Sequence, residues 1–124
     1  MNKNIYIVGR NFKILVSDIR IIKESTYLSM LYDFNVKSGL YDLYSYIPLD
    51  IPAIYDENEV NQYIGYIING TVEKITTKLL IFVFFIQAKL IIKKLINEIS
   101  TNKTVYNKFL KQTFIKNLMS QYRY

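Results

Sequence analysis

Apolar positions change period along this chain, from alternation near the start to helical spacing later. Ile5-Tyr6-Ile7-Val8 and Phe12-Lys13-Ile14-Leu15-Val16 are β-branched or aromatic runs separated by Gly9-Arg10-Asn11, which predicts two short strands joined by a hairpin turn. Residues 19–23 continue as extended or connecting backbone. Ser25 or Thr26 then caps a short helix whose Tyr27, Met30, Leu31 and Phe34 fall at i, i+3, i+4 and i+7, the spacing of a buried face. Asn35 to Gly39 reads as the loop that ends it. A third extended segment spans Leu43 to Ile51, and Pro48 and Pro52 confine it to a sheet edge or to a strand leaving the sheet.

The strongest helix start is Asp56 with Glu59 three residues on, a capping box backed by acids where the helix dipole favours them. Val60, Ile64, Ile67 and Ile68 supply its buried stripe, and Asn69-Gly70 stops it. From Glu73 the pattern is helical to the end. Ile75, Leu79, Phe82, Val83 and Ile86 make one stripe, but Leu80, Ile81, Phe84 and Phe85 fill the other sides. A helix apolar all round is central, or it also meets a partner. Ile92, Leu95, Ile96 and Ile99 face inward on the next helix, with Lys89, Lys93, Lys94 and Asn97 outward, before Ser100-Thr101-Asn102 breaks it. A last helix carries Tyr106, Phe109, Leu110 and Phe114 on one face. Short strands grouped early with helices behind them predict an α+β domain.

Composition narrows the chemistry. The 124 residues amount to one domain, and about half are apolar. There is no cysteine, histidine or tryptophan. Disulfides, Cys/His zinc sites and Ser-His or Cys-His catalysis are thereby excluded. Asp56, Glu57 and Glu59 are the one carboxylate cluster, and capping accounts for them without acid–base work. Gly9, Gly39, Gly65 and Gly70 lack phosphate-loop spacing. No catalytic, cofactor or metal residue is expected, and an enzyme is not. The apolar run Leu79 to Ile86 is too short to span a bilayer. The expected location is the cytoplasm or nucleus, in a host cell if the chain is viral; its Ile, Asn, Lys and Tyr bias fits an AT-rich genome.

Charge is uneven. Residues 1–73 carry six Lys/Arg against nine Asp/Glu, and residues 74–124 carry ten against Glu98 alone, or +9. This admits a basic module for nucleic acid or an anionic surface. Lysines spaced along amphipathic helices are more simply their solvated faces.

The element order is similar to that of the BTB/POZ fold, and several segments resemble the Skp-type adaptors of cullin–RING ubiquitin ligases, with elongin C next. Ile5-Tyr6-Ile7 with Phe12-Lys13-Ile14 looks like that family's first hairpin, and Lys23-Glu24-Ser25 through Met30-Leu31 like its lysine–x–serine helix. Ile47-Pro48-Leu49 resembles its apolar-Pro-Leu strand, Lys78 to Ile92 its long helix pair, and Lys111 to Asn117 its Arg-Lys-Thr-Phe-x-Ile-Lys-Asn segment. The resemblance implies one Skp-like BTB/POZ domain over 1–124: sheet plus first helix in 1–52, helical core in 53–102, C-terminal helix in 103–124. It implies a non-catalytic adaptor in ubiquitin conjugation, bridging a cullin-like scaffold and an F-box-like receptor. The family's Asn-Tyr scaffold pair falls here on Phe84 and Phe85, and the receptor face on Tyr106, Phe109, Leu110, Phe114 and Ile115. The family's acidic loop and its aromatic-acidic tail have no counterpart here. A self-dimerising BTB/POZ domain outside ubiquitination shares the same pattern.

Overall fold

A computed structural model describes residues 3–39 and 43–101. The predicted hairpin is β1 (Asn4–Val8) paired antiparallel with β2 (Lys13–Leu15). The Gly9 amide donates to the Phe12 carbonyl at 3.0 Å. A Cβ on Gly9 would stand 2.2 Å from the Phe12 ring, so only glycine lets that ring fold over the turn. The third strand, β3 (Tyr46–Asp50), pairs parallel with β1, giving the order β2-β1-β3. A parallel pair needs a crossover, and two helices supply it: α1 (Arg20–Lys23) and α2 (Thr26–Ser38). Ile5 and Ile7 stand opposite Ile47 and Leu49 on the inward face. Outward, Lys13 Nζ lies 4.3 Å from the Tyr46 ring centre and 4.8 Å from that of Tyr6. Pro48 sits on an edge strand, where its missing N–H interrupts no ladder on the far side.

Three helices follow: α3 (Glu57–Asn69), α4 (Thr77–Phe85) and α5 (Lys89–Thr101). The class is α+β, a three-stranded mixed sheet with five helices among the described residues. The capping box at Asp56 forms, with the Asp56 amide donating to Glu59 Oε2 at 3.2 Å. Central among the helices is α4, which buries Leu79, Leu80, Phe82, Val83 and Phe84. Ile92, Leu95, Ile96 and Ile99 of α5 point inward as their spacing predicts, and Ile91 joins them.

Several expectations need correction. Residues 19–23 are not extended; Asp18 accepts the Arg20 amide at 2.9 Å and clamps its guanidinium, and the short α1 buries Ile21 and Ile22 side by side. The following helix does not stop at Asn35. It runs to Ser38, because the buried Asn35 side chain donates to the Pro48 carbonyl and holds that turn against β3. In α3 Val60 is buried and Ile64 and Ile67 pack partly buried against the core as expected, but Glu59 and Tyr63 are buried beside them and Ile68 is exposed. Residues 73–76 are not helical, since the Thr76 hydroxyl accepts from the Leu79 amide at 3.1 Å and starts α4 there.

Tyr63 is fully buried, and its hydroxyl donates to the Ile21 carbonyl, tying α3 to α1. Burial holds this phenol well above its ordinary value near 10, with the Glu24 charge adding to the shift. The fold therefore favours the neutral ring. Stability is unaffected below the ordinary tyrosine range and falls as pH rises above about 10, where the unfolded chain releases the proton first. Urea unfolding between pH 8 and 11 checks this: stability should decline less steeply above pH 10 in Tyr63→Phe than in the wild type. Equal slopes would show that the hydroxyl reaches water.

Candidate protein-interaction surface

The junction between α2 and the α4–α5 turn builds the surface. Ser25 is fully buried at the N-cap of α2. Its Oγ accepts from the Leu28 amide at 3.0 Å and donates to the Ile86 carbonyl at 2.6 Å. The Tyr27 amide also donates to Ile86, at 3.2 Å, and the Thr26 amide to Gln87, at 3.4 Å. Gln87 takes a left-handed backbone with φ of 53°, so the chain reverses within one turn between α4 and α5. These bonds fix the start of α2 beside the end of α4.

That placement brings Tyr27 onto Phe85, with ring centres 4.6 Å apart. Tyr55 packs 5.2 Å from Phe85 on one side and 5.2 Å from Phe82 on another. The Tyr27 hydroxyl donates to the Asp50 carbonyl at 3.1 Å, closing the group over the end of β3. Burial raises the phenol pKa of both Tyr27 and Tyr55, keeping both rings neutral.

From Tyr27 the apolar surface continues outward along α2. Leu28 and Asn35 are the residues this helix buries, so Met30 and Phe34, at i+3 and i+7 from Tyr27, flank the packed face instead of forming it. Met30 is 67% exposed and Phe34 59%. Phe85, Tyr27, Met30 and Phe34 thus make a strip that begins in the aromatic cluster and ends in solvent. Sequence spacing places Tyr27, Met30, Leu31 and Phe34 in the core; Tyr27 and Leu31 do pack against it, partly buried, whereas Met30 and Phe34 do not. A signal against those two is present: Leu28 and Asn35 extend a competing stripe beside Leu31, whose polar member the period alone discounts.

Of the two scaffold candidates, Phe84 is buried at 8% exposure and Phe85 is half-buried under Tyr27 and Tyr55. The receptor candidates Tyr106, Phe109, Leu110, Phe114 and Ile115 lie outside the described residues, as does the last helix assigned to 103–124. Lys89 and Lys93 share an outward face of α5. Lys94 is engaged by Glu98 at 3.1 Å and sits 6.0 Å from the Tyr66 ring centre. Lys108, Lys111 and Lys116 lie outside the described residues. Asp56, besides capping α3, pairs with Lys78 at 3.3 Å.

Among the described residues no cluster of three metal-ligating side chains forms, and no helix is long and apolar enough to cross a membrane. No protein-family model, curated protein or solved structure matches the chain.

Proposed function

We propose that this protein is a non-catalytic interaction adaptor of BTB/POZ architecture, Skp-like, joining a cullin-type scaffold to an F-box-type receptor. The observation that carries the interaction reading is the strip on α2. Two large apolar side chains stand one helical turn apart in solvent, continuous with an aromatic cluster. Leaving such a side chain exposed forgoes about 1.5–3 kcal/mol of burial, and a partner supplies the missing cover. The BTB/POZ architecture is supported by the order strand, strand, helix, helix, strand and three helices, and by the parallel return of β3 onto β1. The Skp-like assignment rests on the segment resemblances.

The scaffold contact in this reading uses Phe85 with Tyr27, Met30 and Phe34, and Phe84 serves beneath as packing. Size-exclusion chromatography of the pure protein, alone and mixed with a cullin N-terminal domain, tests it. A co-eluting complex is expected. Met30→Asp combined with Phe34→Asp should keep the melting temperature and weaken the complex by about tenfold or more, as loss of interface anchors does. If the strip instead seats a second copy, the pure protein elutes as a dimer and the same double variant as a monomer. Failure to bind a cullin, an F-box protein or itself would sink the adaptor reading.

A second reading has one observation in its favour, the shared outward face of Lys89 and Lys93 within the basic half of the chain. Binding to RNA or DNA would then fall steeply with salt.

A further inference from the structure

A cleft of about 260 Å³ runs along the outer face of α3 and is closed by the loop after it. It lies on a helix that takes no part in the α2 strip. Its walls are mostly side-chain amides: Asn58, Asn61, Gln62 and Asn69, with Glu73 at the loop end. Two features of residues lining this cleft have no explanation among the described residues. The Gln62 Oε1 is buried with no hydrogen-bond partner among the described residues. Whichever way that carboxamide is turned, a buried amide atom requires a complement. The second feature is Gly65, in the interior of α3, where glycine weakens a helix. A Cβ there would meet nothing within 4 Å, and its φ is not in the left-handed range. Neither backbone conformation nor internal packing requires a glycine at this position. Its absent side chain opens the cleft floor to the close approach of another backbone.

We infer that this cleft binds an extended peptide segment, read chiefly through its main chain. A carboxamide offers one acceptor and a donor pair, the complement of a peptide unit's N–H and C=O. Asn58 and Gln62 are one helical turn apart, about 6 Å along the axis. An extended chain repeats its outward-facing groups every two residues, or about 6.6 Å. Asn69 stands about 10.5 Å beyond Gln62, the length of about three further extended residues. Gly65 lies between them, where the bound main chain comes nearest. Among the described residues Glu73 is the one charged side chain lining the cleft, which favours a lysine or arginine in the bound segment.

A phage-displayed library of random dodecapeptides, selected on the full chain and counter-selected on Gly65→Phe, tests this. Enriched peptides should carry a basic residue, bind the wild type, and bind Gly65→Phe about tenfold or more weakly. N-methylation at alternate peptide positions should abolish binding, because it removes main-chain N–H donors. The Gln62 side-chain amide signals should shift in the complex. Gly65→Ala, whose added methyl enters open space, should raise the melting temperature by a few degrees while weakening the peptide. It also serves as the control should Gly65→Phe fail to fold. The inference is overturned if no peptide is enriched. It is equally overturned if enriched peptides are indifferent to both Gly65 variants, or tolerate N-methylation throughout.

Discussion

Phe84→Ala is expected to destabilise the protein by about 3–5 kcal/mol, the range for truncating a buried phenylalanine. Its ring is 8% exposed within the cluster formed by α4 and the helices around it. The cavity left behind is flanked by elements fixed at both ends of α4, by the Thr76 cap and by the bonds from Ser25, Thr26 and Tyr27 to the turn. Collapse into the cavity is therefore limited, which places the cost at the upper part of the range. A drop in melting temperature of about 10–25 °C corresponds to this. Phe85→Ala provides the contrast. That ring is half-buried, and losing its contacts with Tyr27 and Tyr55 should cost about half as much while depleting the proposed contact strip. Thermal unfolding of the two variants in parallel decides the matter. Equal losses would mean that Phe85 is as much core as Phe84, and that the strip does not begin there.

Ser25→Ala should cost about 1.5–2.5 kcal/mol, a large loss for the removal of one oxygen. The substitution leaves no cavity of consequence. It strands the Leu28 amide at the start of α2 and leaves the Ile86 carbonyl at the end of α4 with the Tyr27 amide as its remaining donor. An N-cap is worth about 1 kcal/mol, and a lost bond to a carbonyl that keeps a second donor costs about 0.5–1.5 kcal/mol. The Ser25–Ala88 bridge joins the same two regions, so both losses fall on one junction. Denaturant unfolding measures the total. Amide hydrogen exchange should show Leu28 losing protection before the β1–β3 ladder does. A loss below about 1 kcal/mol would mean that water takes over both partners, and that the junction is open.

Both variants act where short-range pattern and long-range contact meet, and the sequence was not equally legible on the two sides. Local physics could be read directly. The Asp56–Glu59 capping box, the glycine after Asn69, the hairpin across Gly9-Arg10-Asn11 and the inward face of α5 each depend on residues within a few positions of one another. The all-round apolar character of 79–86 likewise marked α4 as central or partner-facing, and its buried residues make it central.

What the period could not decide was which of two adjacent stripes on α2 is buried. Tyr27, Met30 and Phe34 outweigh Leu28 and Asn35 on hydrophobicity alone. The choice was made by Pro48, whose carbonyl takes the Asn35 amide from across the crossover, and by Ile86, whose carbonyl takes Ser25 from 61 residues away. In the same way Tyr63 is buried in α3 where Ile68 is not, its hydroxyl supplying a donor to the Ile21 carbonyl of α1. Polar groups with buried partners thus rotated two helices away from their most apolar orientation. The sequence alone determined most of the elements and their class, since those follow from nearest-neighbour chemistry, but not α1, the end of α2 or the start of α4. Only the tertiary structure decided which apolar residues face water, because that depends on hydrogen-bond partners distant in the chain, and the candidate surface is made of those residues.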